Sequence, residues 1–408
     1  VGRLMTVHSA AEIGGDGSAA MLDFPQDVSV FTDSPKRQVN HLVVSLDRPL
    51  EPGATVVVRL DYGGYLVGYT ETGSLYIQDR VDEAFSILRE DAFAWPTLGT
   101  LSRRANRIAP RPDFDFTASV TVPNGHTVAS GGRLVERSEE NGRTTFRYEG
   151  VGPVPFLNLP VARYALLEDG GVRVFHFPDD SVGAQRILES ATRGLELLED
   201  WFGPLTMEPE LSVMEIPEMW GSQASLTAGI IQTADAFRDA GRMSQLYHEL
   251  THLWNAPDLD QPSARWNEGL ATFLSLRMSA ELDGWDGMGQ DVERTAAGLV
   301  EAGRGRTTLA QVPFIRYGEA NATGLSYRVG YLMFYALHRA MGEAAFDAAL
   351  GDYYRRHIQT GGTFEDLMDL LRSASPVGLD QFFQTWVHST DWFHQLAAGE
   401  RVEDIGLR

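Results

Sequence analysis

The hydrophobic pattern changes its period once along the chain, near residue 180, and this change divides the sequence into two parts. Before it, apolar and polar residues alternate in short runs such as HLVVSL (41–46) and FDFTASVTV (114–122), separated by turn dipeptides such as Asn124-Gly125 and Asn141-Gly142. A period of two indicates half-buried strands, and Asn-Gly favours tight hairpins. We therefore predict an all-β domain over residues 1–168.

After this point the period becomes that of an α-helix. Residues 181–202 place apolar side chains along one face, and Gly203-Pro204 ends the run. Two strand-like runs and a series of helices follow: strands at 211–216 and 225–232, and helices at roughly 242–255, 265–282, 324–341, 343–357, 363–373 and 378–389. Residues 281–291 and 303–323 are predicted to be connections. We expect an α+β multidomain protein whose second unit, residues 169–408, combines a small mixed sheet with a helical lobe.

Composition excludes several classes of chemistry and partner. The chain has no cysteine, so any bound metal must have nitrogen and oxygen ligands. Its 56 acidic residues against 34 basic ones give a formal charge of −22, which repels nucleic-acid phosphates, and we predict no nucleic-acid partner.

Membrane and targeting signals are equally sparse. No apolar run reaches the length of a membrane span, and no signal peptide is visible. The chain begins with Val1 rather than Met, so we expect a processed or excised segment with any targeting or membrane region outside it. The compartment and the oligomeric state stay open.

The most specific chemical signal is the stretch His248-Glu249-Leu250-Thr251-His252. At 3.6 residues per turn, the two histidines stack on one face of a helix, where both imidazoles can bind one ion. Glu249 is rotated by about 100°, so it can accept a proton from a water molecule on that ion. This is the pattern of a metallohydrolase, and the alternative is an ordinary helix that carries two satisfied histidines.

A third ligand is needed, because catalytic zinc usually has three protein ligands and one open position. Glu268 is the candidate, since it lies in the first turn of the next predicted helix. The 15 residues between His252 and Glu268 include Pro257 and Pro262, which allow the chain to return. No histidine lies between His252 and His338 that could replace Glu268.

With these residues the sequence resembles the gluzincin metallopeptidases, and among them the aminopeptidase N and leukotriene hydrolase family. Trp254 matches a tryptophan that follows the zinc motif in that family. RWNEGLA (265–271) is similar to its W-L-N-E-G-[FL]-A block. The resemblance implies one Zn²⁺ per chain, and it implies these roles: His248, His252 and Glu268 as zinc ligands and Glu249 as the general base.

The resemblance extends to further residues and to the fold. In SYRVGY (326–331), Tyr327 matches a family tyrosine that hydrogen-bonds the oxyanion of the tetrahedral intermediate, and Gly330 matches the glycine after it. The family implies an N-terminal all-β domain followed by a thermolysin-like catalytic domain. Full-length members continue into a large helical domain, so this chain is similar to a short form, such as the peptidase domains attached to bacterial transporter permeases.

The sequence departs from the family where substrate is bound. The spacer before Glu268 is shorter than in typical members of this family. Because shorter spacers occur in other gluzincins, the resemblance to gluzincins as a whole is firmer than the resemblance to this one family. In the family, a G-x-M-E-N loop precedes an edge strand, and its glutamate binds the substrate's amino group. Aligning that strand with residues 225–232 places Ser222 at the glutamate position with Gln223 beside it, and Glu215 and Glu218 are the nearby carboxylates. Further along the same alignment, Ala228 and Gly229 are expected to face extended peptide backbone.

Three functions remain open from the sequence. The first is a zinc-dependent, aminopeptidase-like peptidase with a peptide substrate. The second is a non-peptidase zinc hydrolase, acting on an epoxide or an ester at the same site. The third is a binding or regulatory module associated with a transporter, which would involve attachment to a membrane protein outside this chain.

Overall fold

The first part of the chain is built from strands. The computed structural model describes residues 5–31, 34–66, 82–89, 92, 94–98, 113–205, 210–218, 221–305 and 308–407. The strands before residue 165 are β1 (Met5–Ile13), β2 (Ala19–Met21), β3 (Gln26–Phe31), β4 (Ser34–Leu42), β5 (Val57–Gly64), β6 (Phe85–Leu88), β7 (Thr117–Pro123), β8 (Thr127–Val128), β9 (Arg133–Glu140), β10 (Arg143–Glu149) and β11 (Leu159–Ala162). They form sheets in the orders β2-β1-β5, β3-β4, β6-β11-β8 and β7-β10-β9.

The hairpin predicted at Asn141-Gly142 is present between β9 and β10. Both residues have positive φ, 53° and 76°, as a two-residue turn that matches the strand twist requires. The turn sets the register, in which Arg143 pairs with Glu140. Local turn chemistry therefore fixes this part of the β domain.

A five-stranded mixed sheet joins the two parts of the chain. Its strands are β12 (Ala165–Asp169), β13 (Val172–His176), β14 (Leu211–Ile216), β15 (Gln223–Ser225) and β16 (Gly229–Thr233), in the order β12-β13-β14-β16-β15. Strands β13, β14 and β16 run parallel, and both edge strands are antiparallel to them. The domain boundary predicted after residue 168 falls within β12 and stays a prediction.

The single strand predicted over residues 225–232 is wrong. Residues 226–228 form a turn, and Gly229 has φ 76°, so the chain reverses and β15 pairs antiparallel with β16. In SLTAGIIQ, apolar residues lie on both sides of this turn. The hydrophobic pattern therefore gives no signal that the strand ends and a second strand begins. The edge strand of the sheet is therefore the short β15.

Helices make up the rest of the chain. They are α1 (Ser181–Phe202), α2 (Ala234–Arg238), α3 (Met243–Thr251), α4 (Trp266–Asp283), α5 (Met288–Gly305), α6 (Thr308–Gln311), α7 (Ser326–Met341), α8 (Glu343–His357), α9 (Phe364–Ala374), α10 (Asp380–Phe383) and α11 (Asp391–Ala397). Helix α5 has no counterpart in the prediction, because its buried apolar stripe consists only of Val292, Ala296 and Leu299. The α+β architecture, with an N-terminal β domain and a mixed sheet plus helical lobe, is confirmed.

The mixed sheet is covered on both faces, which explains why every residue of β14 is buried. On one face, Val213 and Ile230 pack with Ile187 and Leu198 of α1. On the other face, the sheet packs against the N-terminal domain through a cluster that includes Phe85, Ile87, Ala162, Met214, Ile216 and Ile231. Burial of each large apolar side chain contributes about 1.5–3 kcal/mol, so the two parts of the chain are held together by a shared apolar interior.

Helices α4 and α7 cross at two glycines without space between them. A methyl group at Gly269 would lie 2.5 Å from the Gly330 Cα atom and 2.6 Å from the Ser326 carbonyl oxygen. Glu268 precedes Gly269 directly, and Tyr327 lies about one turn before Gly330. The crossing therefore fixes how close these two side chains come.

Within the described ranges, no helix combines the length and apolar character needed to cross a bilayer.

We expect the Gly269→Ala variant to be less stable than the wild type by about 1–3 kcal/mol, because the added methyl group overpacks the α4–α7 crossing. Gly289 of α5 is the matched control, since nothing lies within 4 Å of a methyl group there. Urea unfolding of both variants checks this. Equal stability of Gly269→Ala and the wild type would contradict the close crossing.

Candidate metal centre

Helix α3 presents the motif on its last turn. Leu246 and Leu250 are fully buried in the core, so the opposite face of the helix carries His248 away from that core. The helix ends at Thr251, and the backbone N–H of His252 still bonds to the carbonyl oxygens of Glu249 and Leu250. The two histidines therefore keep helical spacing, although the helix predicted to reach 255 continues as a 3₁₀ turn over His252–Trp254.

Three ligand atoms converge at this position. The Nε2 atoms of His248 and His252 are 3.2 Å apart. The Glu268 Oε2 atom, on the first turn of α4, lies 3.3 Å from His248 Nε2 and 3.5 Å from His252 Nε2. Tetrahedral ligands at bond lengths of ~2.0–2.1 Å are about 3.3 Å from one another, so the three atoms fit one Zn²⁺ ion.

The two carboxylates near this point differ in their environment. Burial raises the pKa of the Glu249 carboxyl to about 7, where the Glu268 charge also raises it and His248 lowers it. Burial also raises the pKa of Glu268, but its contacts with His248 and His252 and the charge of Arg265 outweigh burial and hold that pKa well below its usual range. Glu268 therefore carries a negative charge that suits a metal ligand, whereas the pKa of Glu249 lies close to neutral pH.

Two outer contacts orient the ligands. The Asn255 side-chain amide lies 2.6 Å from Nδ1 of His252. The atom at this distance is Nδ2 of Asn255, and a rotation of the amide group by about 180° would bring its oxygen to Nδ1, where it accepts the proton that Nδ1 carries when Nε2 binds a metal. On the other side, Arg265 Nη2 donates to Oε1 of Glu268. Neither contact was predicted, since spacing in the sequence does not report on side chains that reach the centre from irregular segments.

Tyr327 lies beside the cluster. It is the second residue of α7, and its ring stacks on His248 with centroids 6.0 Å apart and planes inclined by 13°. The predicted oxyanion donor is thus adjacent to a ligand histidine.

The predicted substrate-binding residues lie at or near the edge strand. The Ser222 hydroxyl accepts a hydrogen bond from the backbone N–H of Thr233, and Gln223 accepts one from Asn158 of the N-terminal domain. Ala228 and Gly229 lie in and after the turn and are buried, and a methyl group at Gly131 would come within 2.2 Å of the Ala228 backbone. Strand β15 itself contacts α3 and the turn at 252–254.

The nearby carboxylates already have partners. Glu215 is fully buried, and its Oε2 accepts from the backbone N–H of Phe177 at 2.6 Å. Glu218 forms an ion pair with Arg238, which also binds Asp180 in a forked contact. Both acids are therefore engaged in contacts within the protein.

Comparison with known proteins shows which family this centre resembles. Residues 214–386 match the family model described as the Peptidase family M1 domain, and this range contains His248, Glu249, His252, Glu268 and Tyr327. The resemblance to aminopeptidase N-like gluzincins is confirmed. The match begins within β14 and includes β15, β16 and helices α2 to α10.

Relatives and solved structures agree with this. The chain is 25% identical over 237 residues to Aminopeptidase M1-B of Oryza sativa subsp. japonica, covering 54% of this chain and 27% of that protein. It is 24% identical over 216 residues to Aminopeptidase M1 of Arabidopsis thaliana, covering 49% and 24%. The chain thus spans about a quarter of the length of these relatives.

The fold has solved counterparts. An M1 zinc metallopeptidase from Deinococcus radiodurans superimposes with a TM-score of 0.62 at 23% identity, covering 91% of this chain and 80% of that one. A variant of it bound to a Tyr-Ser-Ala substrate gives a TM-score of 0.64 at 23% identity, covering 94% and 84%. These two-part structures share the β domain and mixed helical unit described above.

The buried carboxyl group of Glu215 should make the stability of the fold depend on pH. Burial raises its pKa to about 9, with the neighbouring Asp180 contributing, so the folded protein keeps this proton while the unfolded chain loses it above pH ~4.5. The unfolded state then binds fewer protons, and stability falls as the pH rises from ~4.5 to ~9, by up to about 1.4 kcal/mol per pH unit. We expect Glu215→Gln to remove this loss.

Urea unfolding between pH 4 and 9 checks the Glu215 prediction. The half-exposed Glu218→Gln is the control, which should follow the wild-type curve. Parallel curves for Glu215→Gln and the wild type would show that Glu215 does not retain its proton.

Proposed function

We propose that this protein is a zinc-dependent, aminopeptidase-like peptidase that hydrolyses peptide bonds with a water molecule activated at the metal. The observation that carries the proposal is the convergence of three ligand atoms beside the buried carboxyl of Glu249. The M1 domain match supports it, and so does the Deinococcus relative, which is described as bound to a tripeptide substrate. One Zn²⁺ per chain would be held by His248, His252 and Glu268.

We assign each residue around the metal a separate role in hydrolysis. Bound Zn²⁺ supplies a lowered pKa for water and a positive charge that polarises a carbonyl group. Glu249 would accept the proton of the attacking water and return it to the leaving amine, a role that suits a buried carboxyl beside His248 whose pKa burial raises. With its amide oxygen turned towards Nδ1, Asn255 would hold His252 in the tautomer whose Nε2 is free to bind the metal.

Tyr327 is the proposed oxyanion donor. Its ring stacks on His248, which places it on the rim of the metal centre. The neighbouring Ser326 bonds to the Ala264 carbonyl oxygen at the start of the Glu268 segment. We propose that the hydroxyl of this ring donates to the charge that develops on the carbonyl oxygen.

The substrate is proposed to lie along β15. As an edge strand beside α3, it offers main-chain groups to an extended peptide. Ser222 and Gln223 occupy the amino-group end of this strand, and Ala228 and Gly229 support it from the turn. Hydroxyl and amide groups bind an ammonium ion less strongly than a carboxylate does, so we infer weak discrimination for a free N-terminus.

The other functions receive less support from the site. A non-peptidase hydrolase would use the same ligands and base, and it differs from a peptidase only in what the cleft accepts. A regulatory module would need neither the buried base nor the tyrosine. Attachment to a membrane protein stays a prediction, and the charge of −22 favours partners other than nucleic acids.

The decisive test is the Glu249→Gln variant with a mixed peptide library, read by mass spectrometry with and without a chelator. We expect the wild type to remove N-terminal residues in a chelator-sensitive manner. The variant should lose at least about 10³-fold in rate, because it lacks the proton acceptor, while it still binds about one zinc per chain.

Glu301→Gln, on the exposed surface of α5, is the matched control and should cleave as the wild type does. Zinc-loaded wild-type protein that leaves the whole library intact would rule out the peptidase and favour the epoxide or ester hydrolase. Cleavage inside long peptides would replace the aminopeptidase assignment with an endopeptidase.

We expect Tyr327→Phe to lower kcat by about 10²–10³-fold with little change in KM, because it removes one donor to the oxyanion and keeps the ring. Single-turnover kinetics and zinc content check this. Tyr335→Phe, in the same helix, is the control. A variant with unchanged kcat would assign Tyr327 to packing alone.

A further inference from the structure

The two oxygens of the Glu268 carboxylate have different partners. Oε2 is the atom that faces the Nε2 atoms of His248 and His252. Oε1 instead accepts a hydrogen bond from Arg265 Nη2, three residues earlier in the chain. The carboxylate is therefore held with one oxygen towards the metal position and the other towards a guanidinium group.

The backbone of Arg265 has an unusual conformation at this contact. It has φ 55° and ψ 44°, a left-handed conformation that is rare for a residue with a side chain. Its N–H donates to the Ser263 hydroxyl at 2.9 Å, and that hydroxyl donates to Asp258. A non-glycine residue in this region persists only where its surroundings hold it, and such residues concentrate at functional sites.

The segment before Arg265 is also held by contacts with residues that lie far from it in the sequence. The Ser326 hydroxyl donates to the Ala264 carbonyl oxygen. A methyl group at Gly318 would lie 2.2 Å from the Ser263 carbonyl oxygen, so that loop approaches as closely as a glycine permits. The guanidinium group is thus carried on a segment tied to α7, the helix that also carries Tyr327.

We propose that Arg265 is a positioning residue that makes Glu268 bind the metal through Oε2 alone. Its charge and hydrogen bond hold Oε1 away from the ion, since a charge-assisted contact to a carboxylate is about twice as strong as a neutral one. Ligation through one oxygen leaves the remaining coordination position for water. This inference rests on the proposed metal site, and Arg265 contacts the metal only through Glu268.

The test measures metal binding rather than turnover. Co²⁺ and Zn²⁺ are titrated into apo-protein in competition with a chelator, for the wild type, Arg265→Gln and Arg265→Lys. Glutamine has a Cβ atom, as arginine does, so the left-handed conformation at position 265 costs both residues a similar amount. Glutamine differs in that it carries no charge. Arg316→Gln is the matched control, because Arg316 pairs with Glu319 at the same spacing on an exposed turn.

We expect Arg265→Gln to raise the metal dissociation constant by about 10–100-fold, as for other lost outer partners of a metal ligand. The visible spectrum of bound Co²⁺ should change, since Glu268 can rotate and offer both oxygens. Arg265→Lys should recover part of the affinity, and Arg316→Gln should match the wild type. The melting temperature of each apo-protein separates these effects from folding.

Each result that departs from these expectations would have a different meaning. If the wild type binds metal but the dissociation constant of Arg265→Gln changes by less than about threefold with an unaltered Co²⁺ spectrum, Arg265 does not position Glu268. A lower melting temperature with unchanged metal binding would give Arg265 a structural role only and overturn the inference. If the wild type binds neither ion, the proposed metal site fails, and this inference fails with it.

Discussion

The close crossing of α4 and α7 is the constraint on which the metal centre depends. Because Gly269 and Gly330 leave no space for a side chain, the two helices meet backbone to backbone. This contact brings Glu268, at the start of α4, and Tyr327, at the start of α7, to the same end of the helical lobe. Neither helix could shift by the width of a methyl group without moving a ligand, and cores transmit such shifts because they are close-packed.

The sheet supplies the second half of the site. Helix α3 follows β16 through the short helix α2, so the buried pairing of β14 with β16 sets where His248 and His252 start. The edge of the same sheet, β15, then lies beside these histidines. The proposed catalytic residues on the helices and the proposed substrate strand on the sheet thus rest on one apolar core. Rigid supporting elements of this kind are what a preorganised site requires.

The convergence of the three proposed metal ligands could be predicted because their geometry is local. Helical spacing alone places His248 and His252 together, and Glu268 needs only a return of the chain to the next helix. The β15–β16 turn was missed because apolar residues continue through it, and helix α5 was missed because its buried stripe is narrow. Asn255 and Arg265 could not be predicted from spacing, since both act from segments whose conformation is set by distant contacts. For Arg265 these contacts come from Ser326 and Gly318.

The catalytic and recognition parts of the site depend on different partners. The ligands and their outer contacts all come from residues after 240, and they are held within the helical lobe. The β15 hairpin instead relies on the N-terminal domain, through Asn158 bonded to Gln223 and the Pro153 carbonyl oxygen bonded to Thr227. Gly131 approaches the turn at Ala228 as closely as only a glycine can. The β domain therefore shapes the strand that we propose as the substrate contact, and changes in it should alter specificity before they alter metal binding.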